Sequence, residues 1–394
     1  MPERNDTLCE LCGRDALDAV YTPERSTRGL TVHLCRHCGM AQSTPRIDRA
    51  ARAPMAVSSG ADWGNVRYGK GFRTRPALAA LKRHAETGKP LAILDVGSNR
   101  GSFVKAVLED VHDAFITAVE PDERVAQSSA GFYRVELITA RIEDVALESG
   151  RFDVVHSCHT IEHLAHPAAT LADHWRVLKP GGLLIIDAPN TAILDAEDIV
   201  EEWFIDKHLY HFSARTLMRM VVAAGFDIVT PPDLRDRENL LIVARKTDAQ
   251  RFAIDSDPRE VAEAQRLIAA YKIKRTRNIA ALSHAADEIA ELAPRGVAIW
   301  GAGRLFDSLV VHGGLDTKSV SLLVDTHLSQ HVGERHGIVL RAPEALTEAA
   351  PGVIVIMSRG FAEEIAAHAA MLAPDAEIVF YSALLTRAHL RKAA

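Results

Sequence analysis

One stretch restricts the fold more than any other: Leu91-Ala-Ile-Leu-Asp95-Val-Gly97-Ser-Asn-Arg-Gly101-Ser-Phe103. An apolar run of strand length ends in an acidic residue, a glycine-containing turn follows, and a helical pattern begins. The change of period then recurs. Apolar runs at Ala114–Val119, Val154–Ser157, Leu183–Asp187, Ile228–Val229 and Leu240–Ala244 are separated by helix-length segments. Strands alternating with helices predict an α/β domain, a mostly parallel sheet covered on both faces, here over residues 63–246. In residues 247–294, Val261, Ala264, Leu267, Ile268 and Tyr271 follow a helical period, which predicts a helical connector. A second strand–helix series begins at Val297–Trp300, turns at Gly301-Ala-Gly303 and continues through Leu322–Val324, Val353–Ile356 and Ile378–Phe380. It predicts a smaller Rossmann-like α/β domain over 295–394 that contributes to substrate binding.

Open α/β sheets bind ligands outside the carboxyl ends of their strands, where Asp95 sits. Gly97 and Gly101 let the backbone approach a ligand closely. Their spacing is not the crowded turn that a pyrophosphate requires. It suits a nucleoside without phosphate, such as S-adenosylmethionine. The next strand ends at Glu120, placed to accept ribose hydroxyls, and Glu143 or Asp144 further on can receive the adenine amino group.

Cys9-x-x-Cys12 and Cys35-x-x-Cys38 form two pairs, each followed by a glycine. Two such knuckles supply the four thiolates that structural Zn²⁺ prefers, so residues 1–62 read as a zinc-binding module with a closed, non-catalytic site. His33 and His37 then flank the site without ligating it. The fifth cysteine, Cys158, ends an apolar run and is expected to be buried. The formal net charge of −6 gives no general attraction to nucleic acid. Docking of nucleic acid through the cysteine module is the minority reading. No uncharged apolar run reaches bilayer-spanning length, and the N-terminus lacks a signal-peptide core, so we expect a cytoplasmic protein of unspecified oligomeric state with no membrane partner.

Residues 91–190 resemble the class I S-adenosylmethionine-dependent methyltransferases. Besides the Asp95–Gly101 turn, the resemblance rests on Phe152-Asp-Val-Val-His-Ser-Cys158-His159-Thr-Ile-Glu162-His163-Leu-Ala-His-Pro167 and on Leu178-Lys-Pro180-Gly181-Gly182. It implies that Asp95, Gly97, Ser98 and Gly101 line the methionine end of the cofactor, that Glu120 meets the ribose, that Glu143 or Asp144 meets the adenine, and that His156 lies at the strand edge beside it. The order of zinc module, methyltransferase core and C-terminal α/β domain is similar to that of the sugar C-methyltransferases of deoxysugar pathways. That resemblance implies a small-molecule substrate, favoured as a sugar or nucleotide-linked sugar.

Catalytic candidates fall in two clusters. One is Glu162 and His163, with His159 beside them; the other is Lys207-His208-Leu-Tyr210-His211-Phe-Ser213. Histidine titrates near neutrality, so His208 or His211 is the expected general base, with Tyr210 and Glu162 orienting or assisting. Where the sugar C-methyltransferases carry Glu-His, this chain has Lys207-His208, and His211 stands at an expected tyrosine. The string also looks like methyltransferases that act on oxygen or nitrogen of glycans and natural products, which stays open, as does a catalytically silent binding protein. Tyr68 is a further substrate-side candidate. Gly301-Ala-Gly303, with Asp325 for the ribose, lacks the third glycine of a dinucleotide site, because Phe306 stands there. It therefore reads as a structural turn or a substrate contact through Arg304.

Overall fold

The computed structural model describes residues 7–24, 26–27, 29–45, 71–85, 88–127, 130–248, 252–330 and 332–393. Tyr68 and the 62/63 boundary lie outside them. Among the described residues, those up to 45, 71–194 and 203–269 make one compact unit, and 195–202 with 270–393 make another.

In the first unit β1 (Leu17–Tyr21), β2 (Thr31–Cys35) and β3 (Ala41–Thr44) form an antiparallel meander around the cysteine pairs. Next come α1 (Gly71–His84), β4 (Leu91–Val96), α2 (Ser102–Asp110), β5 (Ala114–Val119), α3 (Glu123–Ala126), β6 (Val135–Ile138), β7 (Phe152–Cys158), α4 (Pro167–Val177) and β8 (Leu178–Pro189). The unit continues with β9 (Tyr210–His211), α5 (Ala214–Ala223), β10 (Phe226–Thr230), β11 (Asn239–Lys246) and the start of α6 (Pro258–Ile279). Seven strands form one sheet in the order β10-β11-β8-β7-β4-β5-β6. β6, β5, β4, β7 and β8 are parallel; β11 runs antiparallel to β8, and β10, antiparallel to β11, resumes the common direction.

Alternate residues of the central strands feed two cores. Leu94, Val96, Val155, Leu184 and Ile186 point to one face, and Ile93, Val154, Leu183 and Ile185 to the other. This two-sided burial is why these strands read as unbroken apolar runs. Strand order reverses between β4 and β7, the switch point where such sheets hold ligands.

The second unit contains the rest of α6, then α7 (Leu282–Leu292), β12 (Val297–Trp300), α8 (Arg304–Val311), β13 (Leu322–Val324), β14 (Glu334–Arg335), β15 (Ile338–Arg341), α9 (Ala345–Ala349), β16 (Val353–Ile356), α10 (Ala362–Leu372), β17 (Glu377–Phe380) and α11 (Tyr381–Ala393). Its sheet runs β14-β15-β13-β12-β16-β17, parallel except for β14 at the edge. Gly301, at φ 115°, ends β12 so close to the Met357 carbonyl that a Cβ would collide with it. Asp325, just past β13, accepts the Ala302, His327 and Leu328 amides at 3.0, 2.9 and 2.8 Å. No described helix is long and apolar enough to cross a membrane.

Candidate active site and metal centre

The two knuckles are built alike. Gly13 N donates to Cys9 O and Gly39 N to Cys35 O, while Cys9 N and Cys35 N return to Arg14 O and Met40 O. Gly13 and Gly39 hold φ of 69° and 78°, a left-handed conformation that suits glycine. The four sulfurs converge within 4.8 Å of one another. Cys9 and Cys38 Sγ lie 3.5 Å apart, and Cys12 and Cys35 Sγ 3.6 Å apart. A tetrahedron with metal–sulfur bonds of about 2.3 Å has edges of about 3.8 Å, so the set fits Zn²⁺. His33 Nδ1 lies 3.1 Å from Thr31 O, and His37 Nε2 3.1 Å from Ile254 O; neither belongs to the cluster.

At the β4/β7 switch point a small cavity is lined by Arg73, Asp95, Gly97, Ser98, Asn99, Phe103, His156 and Cys158, among others. Asp95 and His156 are register neighbours on β4 and β7. His156 Nδ1 lies 2.7 Å from Asp95 Oδ1, and its ring stacks on Phe103 with centroids 3.7 Å apart. The other Asp95 oxygen, Oδ2, and Ser98 Oγ are buried without a hydrogen-bond partner. A buried polar atom without a protein partner is open to completion by a water, an ion or a ligand. Gly97 has φ 69°, and a Cβ there would run into the Thr160 side chain. Gly101, also left-handed, opens α2. Glu120 ends β5, buried, and its carboxylate accepts Asn99 N at 3.0 Å and Asp122 N at 3.1 Å, which braces the turn around the cavity. Glu143 accepts Ala165 N at 2.7 Å.

The chemistry-bearing side chains past β7 divide into two sets. Glu162, His163 and His208 bring their ligand atoms within 4.8 Å of one another. Glu162 is buried; its Oε1 lies 3.5 Å from His163 Nε2 and 4.0 Å from His159 Nδ1. His163 Nδ1 lies 2.7 Å from the Lys207 carbonyl, to which it donates, and its ring meets His208 edge-on at 4.8 Å. Tyr210 and His211 do not join this set. They form β9, which pairs with β3 and extends the sheet of the cysteine-bearing module. Tyr210 OH donates to Ala165 O at 2.7 Å, and His211 Nε2 lies 2.9 Å from Ser43 Oγ, under Phe204. Burial drives the His211 imidazole down to about 3, so it is neutral.

Sequence reasoning missed the Arg73–Asp187 pair. Arg73 Nε donates to Asp187 Oδ2 at 2.6 Å, and Asp187 Oδ1 is buried without a partner. Asp187 clusters with Cys158 and His159, whose Nε2 lies 3.0 Å from Asn239 Oδ1. Asp187, the polar residue ending the β8 apolar run, was a readable signal; Arg73, on α1 far away in sequence, was not. Cys158 is buried, at the cavity wall.

Residues 70–230 match the methyltransferase domain family. The chain thus carries a methyltransferase domain over these residues. A Mycolicibacterium smegmatis protein named "Probable S-adenosylmethionine-dependent methyltransferase" is 27% identical over 170 residues, covering 40% of this chain and 65% of that protein, so the chain spans less than two thirds of it. A Pseudomonas putida ubiquinone/menaquinone biosynthesis C-methyltransferase is 28% identical over 150 residues, 32% of this chain and 57% of the relative. The crystal structure of an S-adenosylmethionine-dependent methyltransferase from Mesorhizobium loti aligns with a TM-score of 0.36 at 18% identity, over 43% of this chain and 96% of that one.

Proposed function

We propose that the protein transfers the methyl group of S-adenosylmethionine to a small polar acceptor, favoured as a sugar or nucleotide-linked sugar, with His208 as general base and Zn²⁺ holding the N-terminal module. The observation that carries the reading is the pair of buried, unpartnered oxygens, Asp95 Oδ2 and Ser98 Oγ, on the wall of a cavity at the sheet's switch point. The sulfonium cofactor, when bound, supplies an electrophilic methyl group. Asp95 and Ser98 would receive its methionine end, and Glu120 its ribose. A proton must leave the acceptor only if the nucleophile is protonated at neutral pH, and alignment supplies much of the rate. His208 serves better than His211 because it is only half-buried, while His211 is sealed in a sheet and bound to Ser43. Glu162, next to His163, stabilises the positive charge that develops when the base takes its proton. The order of the three domains supports the sugar preference, and the Pseudomonas relative, named for methylation at carbon, supports that mode of transfer.

Calorimetric titration with S-adenosylhomocysteine, on wild type and Asp95→Ala, tests the cofactor site. Micromolar binding lost in the variant is expected; no binding by folded wild type overturns the reading. Methyl incorporation into a panel of nucleotide sugars, with the methylated atom located by NMR, then tests the acceptor. Incorporation only into non-sugar acceptors, or only onto oxygen or nitrogen, favours the glycan and natural-product alternative.

A further inference from the structure

The eight residues Asp195–Glu202 lie in the chain between two runs of the methyltransferase unit, yet they pack into the C-terminal unit. Ile199 and Val200 are buried, and Val200 is part of that unit's hydrophobic core. Every carbonyl from Glu197 to Glu202 accepts a hydrogen bond there. Asn278 Nδ2 reaches Glu197 O at 2.8 Å and Ile199 O at 2.9 Å. Tyr381 OH reaches Asp198 O, Arg275 Nε Val200 O and Tyr271 OH Glu201 O, each at 3.1 Å, and Arg304 Nη1 reaches Glu202 O at 3.3 Å. Arg359 holds the Glu201 carboxylate with both terminal nitrogens, at 3.0 and 3.1 Å, and Asp198 Oδ1 with Nε at 2.7 Å. A bidentate guanidinium–carboxylate pair fixes geometry as well as charge.

Where the segment is held matters as much as how. Strand order in the C-terminal sheet reverses between β12 and β16. Arg304 opens the helix after β12, and Arg359 follows β16. These are the strand ends from which an open α/β sheet meets a ligand. Both arginines are engaged by the chain's own acidic segment.

We infer that the C-terminal domain is a receptor for Asp195–Glu202, its switch-point crevice filled by this internal peptide rather than by a nucleotide, and that Arg359 acts as a positioning residue for the loop carrying His208. The segment ends one residue before Trp203, and the chain from there to Leu209 carries Lys207 and His208. Holding the carbonyls up to Glu202 removes conformational freedom from the loop that follows, which lowers the entropic cost of setting His208 beside His163. This inference does not depend on the acceptor proposed above.

The test is hydrogen–deuterium exchange on the full chain, comparing wild type, Arg359→Met, Arg359→Lys and Tyr271→Phe. In Arg359→Met, amides of 195–209 should exchange about ten-fold faster or more, while β12, β16 and β4 keep their protection. Arg359→Lys should restore part of it, and the NMR titration of His208 should shift in the methionine variant and return toward wild type in the lysine one. S-adenosylhomocysteine affinity should stay within about two-fold in each variant, which separates this result from failure of the cofactor reading. If Arg359→Met unfolds the C-terminal sheet, seen as lost protection in β12 and β16, Tyr271→Phe becomes the deciding variant, with faster exchange at 201–209 expected. Unchanged exchange at 203–209 in folded variants overturns the positioning role. Release of 195–202 by millimolar NAD, ADP or UDP overturns the filled crevice.

Discussion

Ser98 and His211 are two buried polar residues with opposite consequences. Ser98 Oγ has no partner, and an unmatched buried hydroxyl costs about 1–3 kcal/mol. Ser98→Ala should therefore leave the ligand-free protein as stable as wild type or slightly more so, while weakening S-adenosylhomocysteine about 5- to 30-fold. Thermal unfolding and calorimetry read the two effects separately. A variant that loses stability and keeps its affinity would assign Ser98 to the fold instead. His211, by contrast, is matched by Ser43 and held neutral, with burial driving it down to about 3; burial drives His174 down to about 4. An unfolded histidine titrates near 6.5. Between that value and the folded ones the unfolded chain binds protons that the native chain does not. Stability is therefore full above about pH 7 and falls as the pH drops through 6.5 toward 4. Replacing one of the two, as in His211→Asn, should shallow that fall even if the variant starts less stable. Chemical denaturation at a series of pH values reads the slope, and equal slopes in both proteins would contradict the buried-neutral assignment.

Among elements, β9 joins the cysteine-bearing module to the Lys207–Ser213 string. Ser43 N donates to Leu209 O at 2.8 Å, and β3 pairs with Tyr210 and His211. Because β3 follows the second knuckle by only a few residues, metal loss should loosen β3 first and β9 with it. A chelator, or Cys35→Ser, should speed amide exchange across 41–44 and 207–213 and lower turnover more than cofactor affinity. Faster exchange at the knuckles with β9 still protected would show that the module is an independent appendage. The same element shows what sequence could and could not reveal. β4, β5, β7 and β8 were legible because both faces are buried, which leaves an apolar run that only a central strand tolerates. Asp95 and Glu120 were legible because each is an acidic residue closing such a run. β9 has two residues, Tyr210 and His211, and no local pattern. Its strand character is conferred by β3, far away in sequence, so the string read as a set of catalytic side chains rather than as a sheet edge. β6 and β15 were missed for a related reason: each has four residues and incomplete burial, too little for a period to register.

For the whole molecule, chain order and spatial order disagree, among the described residues, at Asp195–Glu202, and the disagreement is testable. The two large hydrophobic clusters found among the described residues of the methyltransferase unit draw on residues no later than Ile254. The buried residues of the C-terminal cores run from Ala281 onward, with Val200 as the single insertion from earlier in the chain among the described residues. A chain stopped after residue 269 therefore keeps every residue of the first unit's two cores and loses every partner of Asp195–Glu202 named above. It should fold and bind S-adenosylhomocysteine within about three-fold of the full chain, a change of under about 1 kcal/mol. The segment itself should become the first site of cleavage by a glutamate-specific protease, since Glu197, Glu201 and Glu202 would no longer be held. Proteolytic susceptibility follows the local opening free energy, which the backbone contacts and the Arg359 ion pair now raise. In the full chain the same bonds should resist, and Arg359→Met should fall between the two. If the truncated protein neither folds nor binds, the cores are not separable and the segment is a shared structural seam. If it folds and the segment stays resistant, its order comes from the methyltransferase unit, and the C-terminal domain must have another task.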